Sequence, residues 1–408
     1  MPQYLAPGVY VEEVPSAIKP IAGVGTSTAG FVGVVTDDVT MPLLPGRAGV
    51  TAEGEPVPAD FHVVAPAGEA QLVDGWETFK NLFGDIQPGN HTLAHAVYGF
   101  FNNGGGRCWI TRVAAAADDA DDDAATGSPD SDLIDALATF AAIDEIALVA
   151  IPGAVSDAVQ TALLDHCENQ YLQDRFAILD GRQTTTLTKA AIQGDVRDSS
   201  YGAIYYPWID VGATDADGNK VYQPPSGHIA GVYARVDAER GVHKAPANEV
   251  IRGALGVEAL VSKQQQAGLN PDDINVIRKF GGNITIWGAR TLAGKEQAEW
   301  RYISSRRLFN FLRESIDEGT QWVVFEPNAP ELWSKIRRNV GAFLTTVWAS
   351  GALLGNTPEQ AFYVRCDETV NPAAVRDAGQ LVVEIGVAMV RPAEFVVFRI
   401  SQWAGGVQ

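Results

Sequence analysis

Six histidines, His62, His91, His95, His166, His228 and His243, are the side chains of this 408-residue chain best suited to proton transfer near neutral pH. A Ser–His–acid hydrolase would also need its serine on a sharp turn such as GxSxG, and no such motif occurs. His243 lies in Gly241-Val-His-Lys-Ala-Pro-Ala-Asn248, which reads as a turn leading into packed chain. His91 and His95 are spaced for one helix face, yet the glutamate of an HExxH zinc site is missing beside them. Gly288-Ala-Arg-Thr-Leu-Ala-Gly-Lys295 resembles a phosphate loop. It has five residues between the glycines instead of four, and Glu296 stands where a magnesium-binding Ser or Thr is required. Asp215-Ala-Asp-Gly-Asn219 resembles a calcium loop with its glycine two places early, and reads better as a turn between strands. Gly104-Gly-Gly106 precedes a strand and so presents no helix N-terminus to a phosphate. Asp118, Asp119, Asp121, Asp122 and Asp123 repel one another within residues 114–130, without the glycine spacing of a cation loop; this is an acidic, solvated surface loop. The residues thus offer no catalytic constellation, no metal centre and no cofactor site.

Composition narrows the classes further. Hydrophobic residues make up 46% and charged residues 20%, which suits a folded chain of two or three domains. No apolar run reaches the ~18–20 residues of a membrane span, and residues 1–10 lack the basic and apolar regions of a signal peptide, so neither membrane insertion nor Sec export is expected. Cys108, Cys167 and Cys366 are too scattered for a disulfide framework and fit a reducing compartment. The net charge is −20, and residues 280–408 are neutral with 13 basic and 13 acidic side chains, so the whole excess lies in 1–279. That distribution suggests an inner packed part and an outer solvated part, and disfavours nucleic acid as a partner. Only 9 of the 30 cations are lysine and aspartates outnumber glutamates, a balance that a halophilic host or a GC-rich genome would each produce.

The elements that would carry these residues follow a clear order. Residues 1–25 read as an extended arm, with Val9, Tyr10, Val11 and Val14 flanked by Pro7 and Pro15. Strands are predicted at Phe31–Val35, Cys108–Val113, Ile146–Ile151, Phe176–Leu179 and Ala203–Ile209, with helices near 76–83, 93–101, 155–170, 186–198 and 228–240. Strands alternating with helices imply a parallel sheet covered on both faces, an α/β domain. A strand at Ile284–Trp287 follows, then long helices near 295–317 and from an Asn328 N-cap to Gly355, and strands near 362–366 and 380–390. Phe395–Trp403 has strong β character after Pro392. Alternation there puts Val396, Phe398 and Ile400 on one face and Phe395, Val397 and Trp403 on the other.

The chain resembles the contractile tail sheath proteins of phages, R-type pyocins and extracellular contractile injection systems. The matching stretches are Pro7-Gly-Val-Tyr-Val-Glu-Glu-Val14, Phe100-Phe-Asn-Asn-Gly-Gly105, Pro224-Pro-Ser-Gly-His-Ile-Ala-Gly-Val-Tyr-Ala-Arg235, Gly241–Asn248, Trp287-Gly-Ala-Arg-Thr-Leu292, Trp300-Arg-Tyr-Ile303, Phe325-Glu-Pro-Asn328, Phe362-Tyr-Val-Arg-Cys-Asp-Glu368 and Pro392-Ala-Glu-Phe395. They follow the family's order over nearly the whole chain, and the Val-His-Lys form of 241–248 looks most like the injection-system branch. The acidic 114–130 stretch departs from the pattern.

The resemblance implies a non-enzymatic structural subunit with a subtilisin-like parallel-sheet middle domain. It implies a homo-oligomer, a helical sheath of stacked hexameric rings around an inner tube, with baseplate and terminal cap proteins as further partners. Such a particle is assembled in the cytoplasm, as a phage tail or a phage-tail-like particle released from the cell, and contracts to drive the tube through a target envelope. The expected division is a 1–25 arm, an outer α/β domain at 26–265, an inner α+β domain at 266–390 and a C-terminal strand arm at 391–408. The arms are expected to donate strands to the C-terminal domains of neighbouring copies. Basic residues Lys335, Arg337, Arg338, Arg306 and Arg307 are candidates to face the tube, and Gly23, Gly25 and Gly386 are hinge candidates. The rival readings are an α/β hydrolase and a non-contractile phage structural protein.

Overall fold

The computed structural model describes residues 20–40, 65–114, 130–215 and 217–399. It divides into a larger unit, Val24–Arg313 with Val390–Gln408, and a smaller one, Met1–Gly23 with Glu314–Met389.

The larger unit is built on strands β1 (Ala29–Val34), β2 (Ala70–Val73), β3 (Cys108–Val113), β4 (Leu148–Ala150), β5 (Phe176–Asp180), β6 (Gly202–Tyr206), β7 (Ile209–Asp210), β8 (Glu249–Val250), β9 (Gly256–Val257), β10 (Ile274–Phe280) and β11 (Asn283–Ile286). Its nine-stranded sheet runs β2-β3-β1-β4-β5-β6-β10-β11-β8. From β3 through β10 every neighbour is parallel, while β2, β11 and β8 add antiparallel strands at the two ends. The helices are α1 (Trp76–Phe83), α2 (His91–Asn103), α3 (Asp130–Leu137), α4 (Asp157–Glu168), α5 (Lys189–Gln193), α6 (Ser226–Arg240) and α7 (Lys263–Leu269). Alternate strand residues separate into two cores. Phe31 and Tyr205 pack with Phe79, Phe100 and Tyr233 on one face; Val32, Ile204 and Tyr206 pack with Phe140 and Leu164 on the other. Burial on both faces is what parallel strands require, and it explains their unbroken apolar runs.

Helix α6 is buried from Ser226 to Val236. Its glycines permit this: a Cβ on Gly227 or Gly231 would run into the carbonyl oxygens of Ala96 and Phe100 on α2. The Pro224–Arg235 motif is therefore a helix-crossing motif. The cap of α6 comes from β5, where Asp180 accepts from the Ser226 backbone N–H (2.8 Å) and the Ser226 hydroxyl (2.7 Å) and from Gly153 N–H (3.0 Å). Burial pushes the Asp180 carboxyl up to about 6, against the pull of those three donors.

Three expected elements are shorter than the sequence suggests. The Ala203–Ile209 run is two strands, since Pro207 has no N–H to continue the ladder. The helix at 186–198 is only α5, capped by the Thr188 hydroxyl and ended at Gly194 with φ 70°. The helix expected from 295 starts at Ile303, because the chain before it is held by Thr291, whose backbone N–H donates to the Arg301 carbonyl and whose hydroxyl donates to the Trp300 carbonyl. The expected boundary at 265/266 falls inside α7, and β10 pairs with β6 in the larger unit.

Helix α8 (Ile303–Thr320) passes from the larger unit into the smaller, which adds α9 (Pro330–Ala349), α10 (Pro358–Ala361), α11 (Ala373–Asp377) and a two-stranded antiparallel sheet of β12 (Phe362–Arg365) and β13 (Glu384–Val387). Leu332, Trp333, Ile336, Val340, Phe343, Leu344 and Val347 form the buried stripe of α9. Its N-cap is Ala329, not Asn328. The Asn328 amide is engaged elsewhere, accepting from Trp333 Nε1 and donating to the Gln380 carbonyl, each at 2.8 Å.

Candidate intersubunit interface

Of the predicted C-terminal strand, Phe395, Val396, Val397 and Phe398 lie in the described residues. They form no strand, and are 72%, 68%, 77% and 84% exposed. Ile400 and Trp403, like Val9, Tyr10, Val11 and Val14 of the first arm and most of the acidic loop, fall outside the described residues. Exposure of four consecutive large apolar side chains is an unfinished surface. The root of this segment, by contrast, is fixed. Glu394 receives Arg290 Nε and Nη2 at 2.9 Å each, Asn270 Nδ2 at 2.7 Å and the Tyr302 hydroxyl at 3.0 Å. Arg290 Nη1 in turn donates to the Asn270 carbonyl at 2.8 Å. Burial would raise the Glu394 carboxyl, but the Arg290 guanidinium and Asn270 outweigh it and hold it below the usual range. Arg290 thus belongs to the segment that resembled a phosphate loop, and its work there is to bind a carboxylate of its own chain.

The smaller unit carries an apolar groove of about 640 Å³. It is lined by Leu332, Ile336 and Val340 of α9, spaced one helical turn apart, by Leu381, Val383 and Ile385, and by Ile316, Thr320 and Val323–Phe325, with Glu326 and Asn328 as its charged and amide members. Phe325 holds φ at 68° and its side chain is fully exposed at 103%, with Val324 beside it at 58%.

The basic candidates separate. Arg306 and Arg307 are 5% and 4% exposed and are spent inside their own subunit. Arg307 binds both oxygens of Asp237 (2.9 and 2.6 Å) and lies over the Tyr233 ring, while Arg306 stacks on Trp300 and Tyr201 and donates to Ser200. Both guanidinium groups of this pair are thus engaged within their own subunit. Arg337 is half-buried and donates to the Cys366 carbonyl. Lys335 and Arg338 stand exposed on the solvent face of α9.

Among the hinge candidates, Gly23 is the last residue of the smaller unit's N-terminal part, and Gly25 is exposed with open space around its Cα. Gly386 is different. It is paired with Tyr363 across the β12–β13 ladder, and that ring covers the place a Cβ would occupy. It is a packing glycine in a strand.

The chemical motifs resolve into structure. His228 is buried against Gly99, and burial with the nearby His95 lowers it to about 3. His91 meets Gln223 at 2.7 Å, and His166 meets the buried Arg175 at 3.3 Å. The Asp215 carboxylate accepts the N–H groups of Asp217 and Asn219, closing the turn the sequence suggested. Among the described residues no group of three or more His, Cys, Asp or Glu could hold a metal, and no helix is long and apolar enough to cross a membrane. Sequence reasoning missed Glu394 and Arg290; the signal was present, since both sit in stretches that match the sheath pattern.

Comparison with known proteins agrees with this geometry. Residues 127–292 match the phage tail sheath central domain and residues 295–402 the phage tail sheath C-terminal domain. The tail sheath protein of Vibrio phage KVP40 is 29% identical over 49% of this chain, and a putative prophage major tail sheath protein of Pseudomonas aeruginosa is 27% identical over 56%. The chain spans 31% and 58% of the lengths of these two relatives. Solved structures cover it end to end. The contracted helical sheath of the anti-feeding prophage is 30% identical with a TM-score of 0.73, over 98% of this chain and 99% of its own. The PVC sheath complex of an extracellular contractile injection system, also contracted, is 29% identical with a TM-score of 0.73, over 99% of both. A chain of the anti-feeding prophage baseplate is 30% identical with a TM-score of 0.72. With both sheath domains matched and the whole length shared with injection-system sheaths, the chain belongs to the phage tail sheath family as a structural protein of contractile, phage-tail-like particles.

Proposed function

We propose that this chain polymerises as stacked hexameric rings around an inner tube and contracts to drive that tube through a target envelope. The observation that carries the reading is the segment Phe395–Phe398, exposed and apolar beyond a root that four hydrogen bonds to Glu394 hold in place. A lone extended segment is not stable in water. Added to a neighbour's sheet it gains main-chain hydrogen bonds and buries its side chains. Residues 1–25 serve as the second arm, with Gly23 and Gly25 as the flexible joint. Arms of this kind keep copies connected while the folded units slide between two packings. The contracted state of the similar sheaths supports the two-packing reading.

The tube contact falls to Lys335 and Arg338, the exposed cations of α9. Exposed pairs worth about 0–1 kcal/mol each suit a contact that must release. Baseplate and terminal cap proteins complete the assembly, which forms in the cytoplasm and acts outside it. No catalytic step is part of the reading. Negative-stain microscopy of the purified chain, alone and with its tube protein, tests it: helical tubes of two diameters are expected, and a protein that stays monomeric under all conditions would overturn it.

A further inference from the structure

We infer that His91, His95 and His228 form an acid-released latch between α2 and α6, closing the helix crossing while their rings are neutral and parting it when they take up protons. The inference does not depend on the sheath reading. His91 and His95 stand one helical turn apart on α2, and their rings meet at right angles with centroids 5.5 Å apart. Gly99 continues the same line of the helix one turn further on, and the His228 ring of α6 occupies the place its Cβ would take. The three imidazoles thus stand in file along the seam that Gly227 and Gly231 draw tight.

The geometry of the closed seam calls for neutral rings. His91 Nε2 lies 2.7 Å from the Gln223 amide nitrogen, which can only donate, so that ring nitrogen carries no proton. His228 is 3% exposed and its Nδ1 has no partner. An imidazolium donates from both nitrogens, so a protonated His228 would hold a buried donor without an acceptor. Among the described residues no carboxylate bonds to any of the three. The charges that act on them are their own, His91 on His95 and His95 on His228. Asp180, at the N-terminus of α6, is taken by Ser226 and Gly153. Further along α6, Tyr233 bonds to Tyr205, Arg235 to the Asn103 and Val250 carbonyls, and Asp237 to Arg307. Each proton therefore adds like charge where no counter-ion stands. Burial holds His95 at about 4 and His228 at about 3, so the closed seam refuses protons that an open one accepts near 6.5. His91 and His95 are half-buried and give the proton its way in.

The native thiols provide the test, because Cys108 is buried in the core that α2 and α6 cover and Cys167 in the core on the opposite face of the sheet. The full chain is treated with 4,4′-dithiodipyridine, which labels thiols in acid as well as at neutral pH, and both cysteines are followed by mass spectrometry at pH 6.5, 5.5 and 4.5. Opening linked to proton uptake grows about tenfold per pH unit for each ring that gains a proton. Labelling of Cys108 relative to Cys167 is expected to rise by about that factor or more at each step. H91Q/H95Q/H228Q should flatten the rise, H91Q alone should reduce it, and H166Q, which changes a histidine of the opposite face, should leave it intact. Where the triple variant labels at Cys108 already at pH 6.5, H91Q decides. A parallel rise of both thiols, no rise in either, or a rise undiminished by H91Q would overturn the inference.

Discussion

Arg290 and Glu394 face each other fork to fork, Nε to Oε1 and Nη2 to Oε2, both at 2.9 Å, across more than a hundred residues of sequence. This pair fixes the point where the exposed C-terminal segment leaves the folded unit. Truncating Glu394 to alanine removes the bidentate partner of the Arg290 guanidinium, 10% exposed, and leaves as its carboxylate contact only the longer one to Asp273 at 3.5 Å. The expected loss is about 2–3 kcal/mol in chemical denaturation, together with loss of polymers, because a donated strand that starts from a loose root no longer arrives in register. Glu394→Gln keeps the shape and should retain part of both. Unchanged polymer yield in E394A would show that the root is not needed.

The buried and exposed cations should behave in opposite ways. Arg307→Ala strands the Asp237 carboxylate, 6% exposed, and is expected to cost about 3–5 kcal/mol, seen as a lowered denaturation midpoint. Lys335→Glu and Arg338→Glu change exposed positions and should stay within about 0.5 kcal/mol of the parent. They should still weaken co-sedimentation with the tube, and more so at low ionic strength. A tube-binding defect without destabilisation in R307A would reverse the assignment.

Acid should destabilise the fold. Burial depresses His95 and His166 to about 4 and His228 to about 3, and lowers His91 and His243 as well. Below the ordinary histidine value of about 6.5 the unfolded chain therefore binds protons that the folded chain refuses, and stability falls as pH drops from about 6.5 toward 4. Asp180 works the other way, since its raised carboxyl binds a proton in the folded state between about 6 and its unfolded value of 3.8. Burial raises Asp174, Glu258 and Asp273 in the same direction, but five histidines are lowered, and Asp210 and Glu394, held low by their hydrogen-bond partners, add to the loss on acidification. Urea midpoints at pH 7 and pH 5 check the sign, and His228→Gln should reduce the slope by about 1.4 kcal/mol per pH unit. A midpoint that rises on acidification would contradict the burial of these rings.

What the sequence made legible was whatever local pattern decides. Phe31 and Val32 are both buried on opposite faces of β1, so the run around them signalled a parallel strand without any tertiary knowledge. The spacing of Leu332, Ile336 and Val340 marked the inner face of α9, and Lys335 with Arg338 its outer face. Arg306 and Arg307 read like surface cations because nothing local announces Asp237, Tyr233 or Tyr201, which arrive from far along the chain. Asn328 had the identity and position of a cap, and a tryptophan and a distant carbonyl claimed its amide first. Gly386 resembled a joint until its cross-strand partner was known. In each case the deciding group is remote in sequence, and composition cannot point to it.

The central claim is that single copies are completed by one another through their ends. Sedimentation velocity of the full chain beside a version stopped before Pro392, with circular dichroism on both, tests it most directly. Large polymers are expected for the first, monomers for the second, and the same α/β spectrum from each; polymers of equal size from the shortened chain would contradict completion through the ends.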